Sequence, residues 1–383
     1  MNESRTSIPG VTMGVEEEFL LLDARSARPV PRAGDVLADE AALPGRAEGA
    51  TFQPELHRSQ VEAATGRCTT ADALRAQLVD DRRRLATAAA GRDAMLVSAG
   101  TPVLDGPPPG ITDEARFARI ADAYASVMTE YQACGCHVHV AVPDEEAAVG
   151  VVNHLRPWLP TLLALTVNSP FHRGRDTGCA SWRMVQQLGF PGSGVPPRFD
   201  SAAAHRDEVA RLVDCGSLVD PEMSFWLARP SPRLPTVELR VADALTTAEE
   251  AVFHAVLARA AVRTALLAVT AGVRPPAVRD QVAAAAVWAA ARHGIGGSLV
   301  DPVREARAPA AVLLRRLLEW IEPALRAAGD AAVVHEGIAN LVRRGAGADR
   351  QRRAAVGGPR AVAFALARRT AEPSAEHVRE ESR

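Results

Sequence analysis

The sequence predicts an α+β fold, and three observations carry that prediction. Strand-like segments concentrate in the first 245 residues, the last third reads as Ala-, Leu- and Arg-rich helices, and no regular strand–helix–strand alternation runs through the chain. A length of 383 residues with 47% hydrophobic and 23% charged side chains supports a sizeable core. The expected organisation is one domain over 11–370, strand-rich over 11–245 and helical over 246–370, with flexible ends at 1–10 and 371–383.

Taken in order, "GVEEEFLLLD" near 13–23 reads as the first strand, followed by "RSQVEAAT" near 58–65, "AMLVSAG" at 94–100 and "CGCHVHVAV" at 134–142. "MSFWLARP" at 223–230 and "TVELRVAD" at 236–243 complete the set. Most of these lie too far apart for simple hairpins. Apolar residues at three-and-four spacing predict helices over 71–90, 113–132 and 145–165, then over 247–271, 277–293, 309–328 and 331–344. Pro and Gly mark loops at 105–110, 168–200 and 272–276. The middle loop is long enough to be either a binding lid anchored by Phe171 and Trp182 or a structural loop, and both readings stand.

Composition excludes several classes. A formal net charge of -2 gives no general reason to expect nucleic acid or an anionic membrane as partner. The chain contains no Lys, so every strong cation is Arg, and anion binding falls to a guanidinium fork or a backbone amide. The N-terminus does not resemble a signal peptide, and no apolar run is expected to reach membrane-spanning length. Five irregularly spaced cysteines read as reduced thiols, which points to the cytoplasm. "CGCH" could form half of a soft-metal site, but Cys68, Cys179 and Cys215 are isolated and offer no second half.

The chemistry lies in the alternation of the strands. Successive side chains point to opposite faces, so Glu16 and Glu18 share one face and Glu17 takes the other. The same rule pairs Gln60 with Glu62, His137 with His139, and Glu238 with Arg240, each against an apolar back. One pair alone is an ordinary solvated face, and "EEE" could be a charged edge that blocks aggregation. Four such strands together suggest a wall of metal-competent groups suited to Mg²⁺ or Mn²⁺. Zinc hydrolysis is the competing reading, but no His-Glu-x-x-His helix is present. Glu17, facing away, is expected to pair with an arginine behind the sheet.

"GVEEEFLLLD", "SQVEAAT", "GCHVHVAV", "NSPFHRGRDTGCASWR", "TVELRVAD", "AARHGIGG" and "GAGADRQRR" together resemble the carboxylate-amine ligase family, glutamate–cysteine ligase type 2, over most of the chain. The resemblance implies a curved, mainly antiparallel sheet flanked by helices, like that of glutamine synthetase and glutamate–cysteine ligase, with metals and ATP on its concave face. It implies metal ligands at Glu16, Glu18, Glu62, His137 and Glu238, with Glu55 a weaker candidate and His137 preferred to His139. Arg240 and Arg183 would meet the transferred phosphoryl group, and His139 would face nucleotide and substrate. The implied activity is ATP-dependent amide formation through an acyl phosphate, joining the carboxylate of an amino acid such as glutamate to an amine such as cysteine, with Mg²⁺ or Mn²⁺. A kinase of a carboxylate or guanidino group is the alternative. The resemblance also implies a homodimer, with no nucleic acid or membrane partner.

Overall fold

Met13–Asp23 forms β1, the strand on which the sheet is assembled; the computed structural model describes residues 9–372. In the first half of β1 buried and half-buried positions alternate, while Phe19–Leu22 is buried on both faces. The remaining strands are β2 (Thr51–Pro54), β3 (Gln60–Ala64), β4 (Ala94–Val97), β5 (Gly135–Ala141), β6 (Ala228–Pro230) and β7 (Thr236–Asp243). Their order is β6-β7-β5-β1-β3-β2, with β4 also paired to β1, and every pairing is antiparallel. The predicted antiparallel sheet flanked by helices is therefore present. β7 carries a bulge: Glu238 and Leu239 face His139 and Val138, but Ala242 faces Cys136, so two residues of β7 lie opposite His137.

The apolar backs of β5 and β7, including Val138, Val140, Leu239 and Val241, are sealed by helices Glu145–Leu155, Leu159–Leu165 and Ala248–Thr270. Each such fully buried side chain contributes about 1.5–3 kcal/mol relative to exposure. The helix Ala248–Thr270 starts in a Thr247/Glu250 capping box. It is 23 residues long, with an 18-residue stretch of mean hydropathy 1.6, long and apolar enough to cross a bilayer, contrary to the expectation from sequence. The reason is its place at the centre of the core, where most of its surface is covered. Its Arg259 is buried and paired with Asp330, and also donates to the Thr69 carbonyl at 2.6 Å.

Three further differences from the sequence reading have local causes. The stretch 145–165 is two helices, because Pro157 stops the first at Leu155. The C-terminal part is not purely helical: Ser298–Asp301 and Ala306–Pro309 pair as a two-stranded ribbon. β2 is absent from the expected strands because Thr51–Pro54 is short and ends in Pro, as an edge strand can. The expected loose ends fall mostly on residues 1–8 and 373–383, outside the described residues. The Gly10 amide, by contrast, donates to the Ala141 carbonyl at 2.7 Å, and Ala371 closes a helix.

Helix Ala71–Ala90 turns charge toward the back of the sheet. Arg82 grips Glu17 bidentately at 2.6 and 2.9 Å, both groups buried, as expected for the outward-facing member of the acidic triplet. Two residues on, Arg84 meets buried Glu40 at 2.7 Å. Asp81 is buried between these pairs, neither of its oxygens has a hydrogen-bond partner, and burial with the nearby charge of Glu17 pushes its carboxyl up to about 8. The folded state therefore holds a proton that the unfolded chain releases near pH 4, and the stability this gives is lost as pH rises toward 8. Asp81→Asn is expected to raise the thermal midpoint above that of the unsubstituted protein at pH 8.5, with the gap closing at pH 5; a constant gap would show that ionisation of Asp81 is not the cause.

Candidate active site

Strand register places the polar face. β1 sets Glu18 opposite Glu62 on β3 and Glu16 opposite His137 on β5, and β5 in turn sets His139 opposite Glu238 on β7. Beyond them, Gln53 faces Glu62 and Arg229 faces Glu238. All lie on one side of the sheet, in a cleft of about 510 Å³ that also admits Glu55, Arg183 and Arg240. Its lining is completed by apolar side chains, Leu56, Phe117, Met128, Tyr131 and Phe225 among them, and by the charged Glu114, Arg116, Glu222 and Arg233.

His137 is the centre of the arrangement. Its Nδ1 lies 3.5 Å from Glu16 and 4.0 Å from Glu238, and its Nε2 lies 3.8 Å from Glu18. Two triads follow, Glu16–His137–Glu238 and Glu18–Glu62–His137, each with ligand atoms within 4.8 Å of one another. Nε2 of His137 is buried without a hydrogen-bond partner, as a nitrogen waiting for a cation would be. Hard carboxylates with one imidazole suit Mg²⁺ or Mn²⁺. His139 belongs to neither triad; it holds Thr236 Oγ1 at 2.9 Å and lies 3.1 Å from Glu16. Glu55 stands outside both triads, against Glu18 and Glu62.

Electrostatics separate the carboxylates. Burial opposes ionisation of Glu238, but Arg240 and Arg229 outweigh it and hold the group well below the usual range. Burial likewise opposes ionisation of Glu16, and the two imidazoles bring it down. On the other side, burial and the neighbouring acids push Glu62 well up and Glu55 up to about 7, while burial and Arg240 pull His137 down to about 4. The side of the cleft formed by Glu18, Glu55 and Glu62 thus carries protons that a divalent cation must displace. Affinity for Mn²⁺ is expected to rise between pH 6 and pH 8, with proton release on binding visible as a buffer-dependent calorimetric enthalpy. A pH-independent affinity would mean these acids take no part.

The phosphate-competent cations are held from behind. Arg240 pairs with Glu238 and lies 3.4 Å from His137 Nδ1, leaving its Nε unpaired. Arg183 lies in the first turn of helix Trp182–Gln187; its Nε and Nη1 are buried without a hydrogen-bond partner, Nη1 lying 3.9 Å from the Asp243 carboxylate. Asp243, at the end of β7, fixes that helix: it accepts from the Asn168 amide at 2.7 Å, Ser169 Oγ at 2.7 Å and Ser181 Oγ at 2.8 Å. Ser169 Oγ in turn accepts from the Arg183 amide, and Ser181 Oγ caps the helix through the Met184 amide, both at 3.1 Å. A side chain at Gly135 would sit 2.5 Å from Arg183 and 2.8 Å from His137 Nε2, so only glycine lets the two converge.

The structure brings Glu16, Glu18, Glu55, Glu62, His137, His139, Arg183, Glu238 and Arg240 into one cleft. It favours the structural reading of the 168–200 loop. Phe171 packs in a core with Leu20, Leu22 and Val97, Trp182 lies against His172, and only Arg183 and Gln187 of this segment line the cleft. The mouth is walled instead by residues of helix Ala115–Glu130, which is kinked at Ala125. Sequence reasoning missed Arg229, Gln53 and Asp243. The charge of Arg229 inside the apolar "FWLARP" run and the acid closing "TVELRVAD" were the available signals.

Residues 12–381 match the model of the glutamate-cysteine ligase family 2. A protein of Saccharopolyspora erythraea, provisionally named glutamate–cysteine ligase 2-2, is 57% identical over 371 residues, 97% of this chain and 95% of its own. A provisionally named glutamate–cysteine ligase 2-1 of Nocardia farcinica is 44% identical, over 90% of this chain and 88% of its own. Among solved structures, the glutamate–cysteine ligase of Francisella tularensis in complex with AMP superposes with a TM-score of 0.68 at 12% identity, covering 98% of this chain and 92% of its own. A bifunctional glutathione synthetase from Pasteurella multocida gives 0.66 at 14% identity, covering 94% of this chain and 52% of its own. The chain belongs to glutamate-cysteine ligase family 2, and is an ATP-dependent carbon–nitrogen ligase.

Proposed function

We propose that this chain joins the carboxylate of an amino acid, glutamate being the first candidate, to an amine such as cysteine through an acyl phosphate. The observation that carries the reading is the sharing of His137 between two triads whose four carboxylates come from three strands. The names of the relatives support glutamate and cysteine as substrates. Cations held by Glu16, Glu18, Glu62, His137 and Glu238 would offset the charge of the nucleotide phosphates and the donor carboxylate. Arg240 and Arg183 line the same cleft, each with an Nε that has no hydrogen-bond partner, and would bind the equatorial oxygens of the γ-phosphoryl group there. The donor oxygen then bonds to phosphorus as the bond to ADP breaks. The amine next bonds to the acyl carbon, phosphate leaves, and the amine gives up a proton.

The test is a panel of amino acids and amines with ATP and either Mg²⁺ or Mn²⁺, scored for ADP, phosphate and amide. Amide and ADP are expected in equal amounts, only when both substrates are present. ADP with no amine requirement and no amide would support the kinase instead. Arg240→Gln is expected to lower turnover by about 10³-fold or more, the scale of an arginine on a transferred phosphoryl group.

A further inference from the structure

The segment "GAGADRQRR" takes no part in the cleft described above. It forms helix Gly347–Ala354, whose Gln351 donates to the Asn168 carbonyl at 2.7 Å and to its side-chain oxygen at 2.9 Å. Its other face lines a second cleft of about 590 Å³ that shares no residue with the first. Arg343, Arg344, Arg350, Arg353, Arg368 and Arg369 line it, together with apolar side chains, Thr246 and Gln351, and among the described residues no carboxylate does.

Two of the six arginines have acidic partners: Arg350 pairs with Glu250, and Arg368 reaches Glu372 at 3.7 Å. Arg343 and Arg353 donate to neutral oxygens, of the Asn340 side chain and the Arg344 carbonyl. Arg344 and Arg369 have no carboxylate within ion-pair distance among the described residues. Among the described residues, four of the six arginines therefore have no carboxylate partner. Arginines are favoured at helix C-termini by the helix dipole, and Arg343–Arg344 and Arg368–Arg369 do end their helices. Each such terminus supplies only about half a negative charge, so roughly three positive charges stay unbalanced. The dipole explains why each pair sits at the end of its own helix; it does not explain why the two ends and Arg353 converge on one concavity. Clefts of one sign concentrate counter-ions. Glu249, Glu250, Glu336 and Glu372 line an adjoining recess that shares Arg343, Arg344, Arg350 and Arg369 with this cleft, while Arg353 and Arg368 line the second cleft alone.

We propose that this second cleft binds a small anion bearing two or more phosphate groups, at a site separate from the ligase centre. The bidentate fork of arginine matches phosphate oxygens. The concavity is of small-ligand size, and the chain's net charge of -2 disfavours an extended nucleic acid.

The probe is inorganic triphosphate, titrated calorimetrically into the full chain at low salt with EDTA present, so that the carboxylate centre holds no cation. Binding is expected for the unsubstituted protein and for Arg240→Gln, to weaken with added salt, and to fall at least tenfold in the double variant Arg344→Ala/Arg369→Ala. Arg344→Lys/Arg369→Lys, with the same circular dichroism as the parent, is expected to keep part of the affinity, which separates loss of charge from loss of fold. Absence of binding to the unsubstituted protein overturns the proposal, as does equal binding by the double alanine variant. Binding lost in Arg240→Gln alone would place triphosphate in the carboxylate cleft, overturning this site and leaving the ligase reading intact.

Discussion

Glu18→Gln and Glu17→Gln, one residue apart, should fail in opposite ways. Glu18→Gln removes a charge from the triad with Glu62 and His137, and ligation is expected to fall by about 100-fold or more, the upper end of what losing a mere outer partner of a metal ligand costs. Its thermal midpoint should hold or rise, because burial and like charges already push Glu18 toward its neutral form. Glu17→Gln leaves the Arg82 guanidinium buried opposite a neutral amide, and breaking a buried pair in this way costs about 3–5 kcal/mol. The folded fraction of Glu17→Gln should retain nearly full specific activity. Denaturant unfolding and initial rates normalised to folded protein read the two effects separately. Equal losses of activity per folded molecule would break the link between strand alternation and chemistry.

Asp243→Asn is the second large effect, and it acts at a distance from the reacting atoms. The carboxylate accepts three hydrogen bonds from the segment that delivers Arg183, and an amide can accept only through its single oxygen. Displacement of a positioned group by about 1 Å can cost 10²-fold, which is the loss expected in kcat, with Mn²⁺ affinity unchanged. If Asp243 works through Arg183, the double variant Asp243→Asn/Arg183→Ala should be no slower than Arg183→Ala alone. Multiplicative losses would show that Asp243 acts on its own.

Much of this site was legible in the residues because alternation is a short-range rule. Glu16, Glu18, Glu62, His137, Glu238 and Arg240 all lie on the side their spacing assigns, and strand β7 spans the predicted Thr236–Asp243. The assignment of Glu17 to an arginine behind the sheet follows from the same rule. What the sequence does not encode locally is which strands become neighbours. The juxtaposition of Glu18 with Glu62 and of Glu238 with Arg229 depends on register across the sheet, and Arg229 gave no periodic signal in a strand of three residues. The 168–200 loop was ambiguous for a related reason. Its residues look like those of a binding segment, yet their partners, Asp243 and Arg352 among them, are distant in the chain.

The bulge in β7 has a consequence for chain length. With strict pairing after Glu238, the position opposite Gly135 would belong to Ala242; the added residue gives it to Asp243 instead. Removing Val241 would restore one-to-one pairing on a chain one residue shorter, with Glu238 still opposite His139 and Asp243 still opposite Gly135. What the shorter chain loses is the bend itself, since a bulge sharpens the twist of its strand, while both acids keep their stations along the sheet.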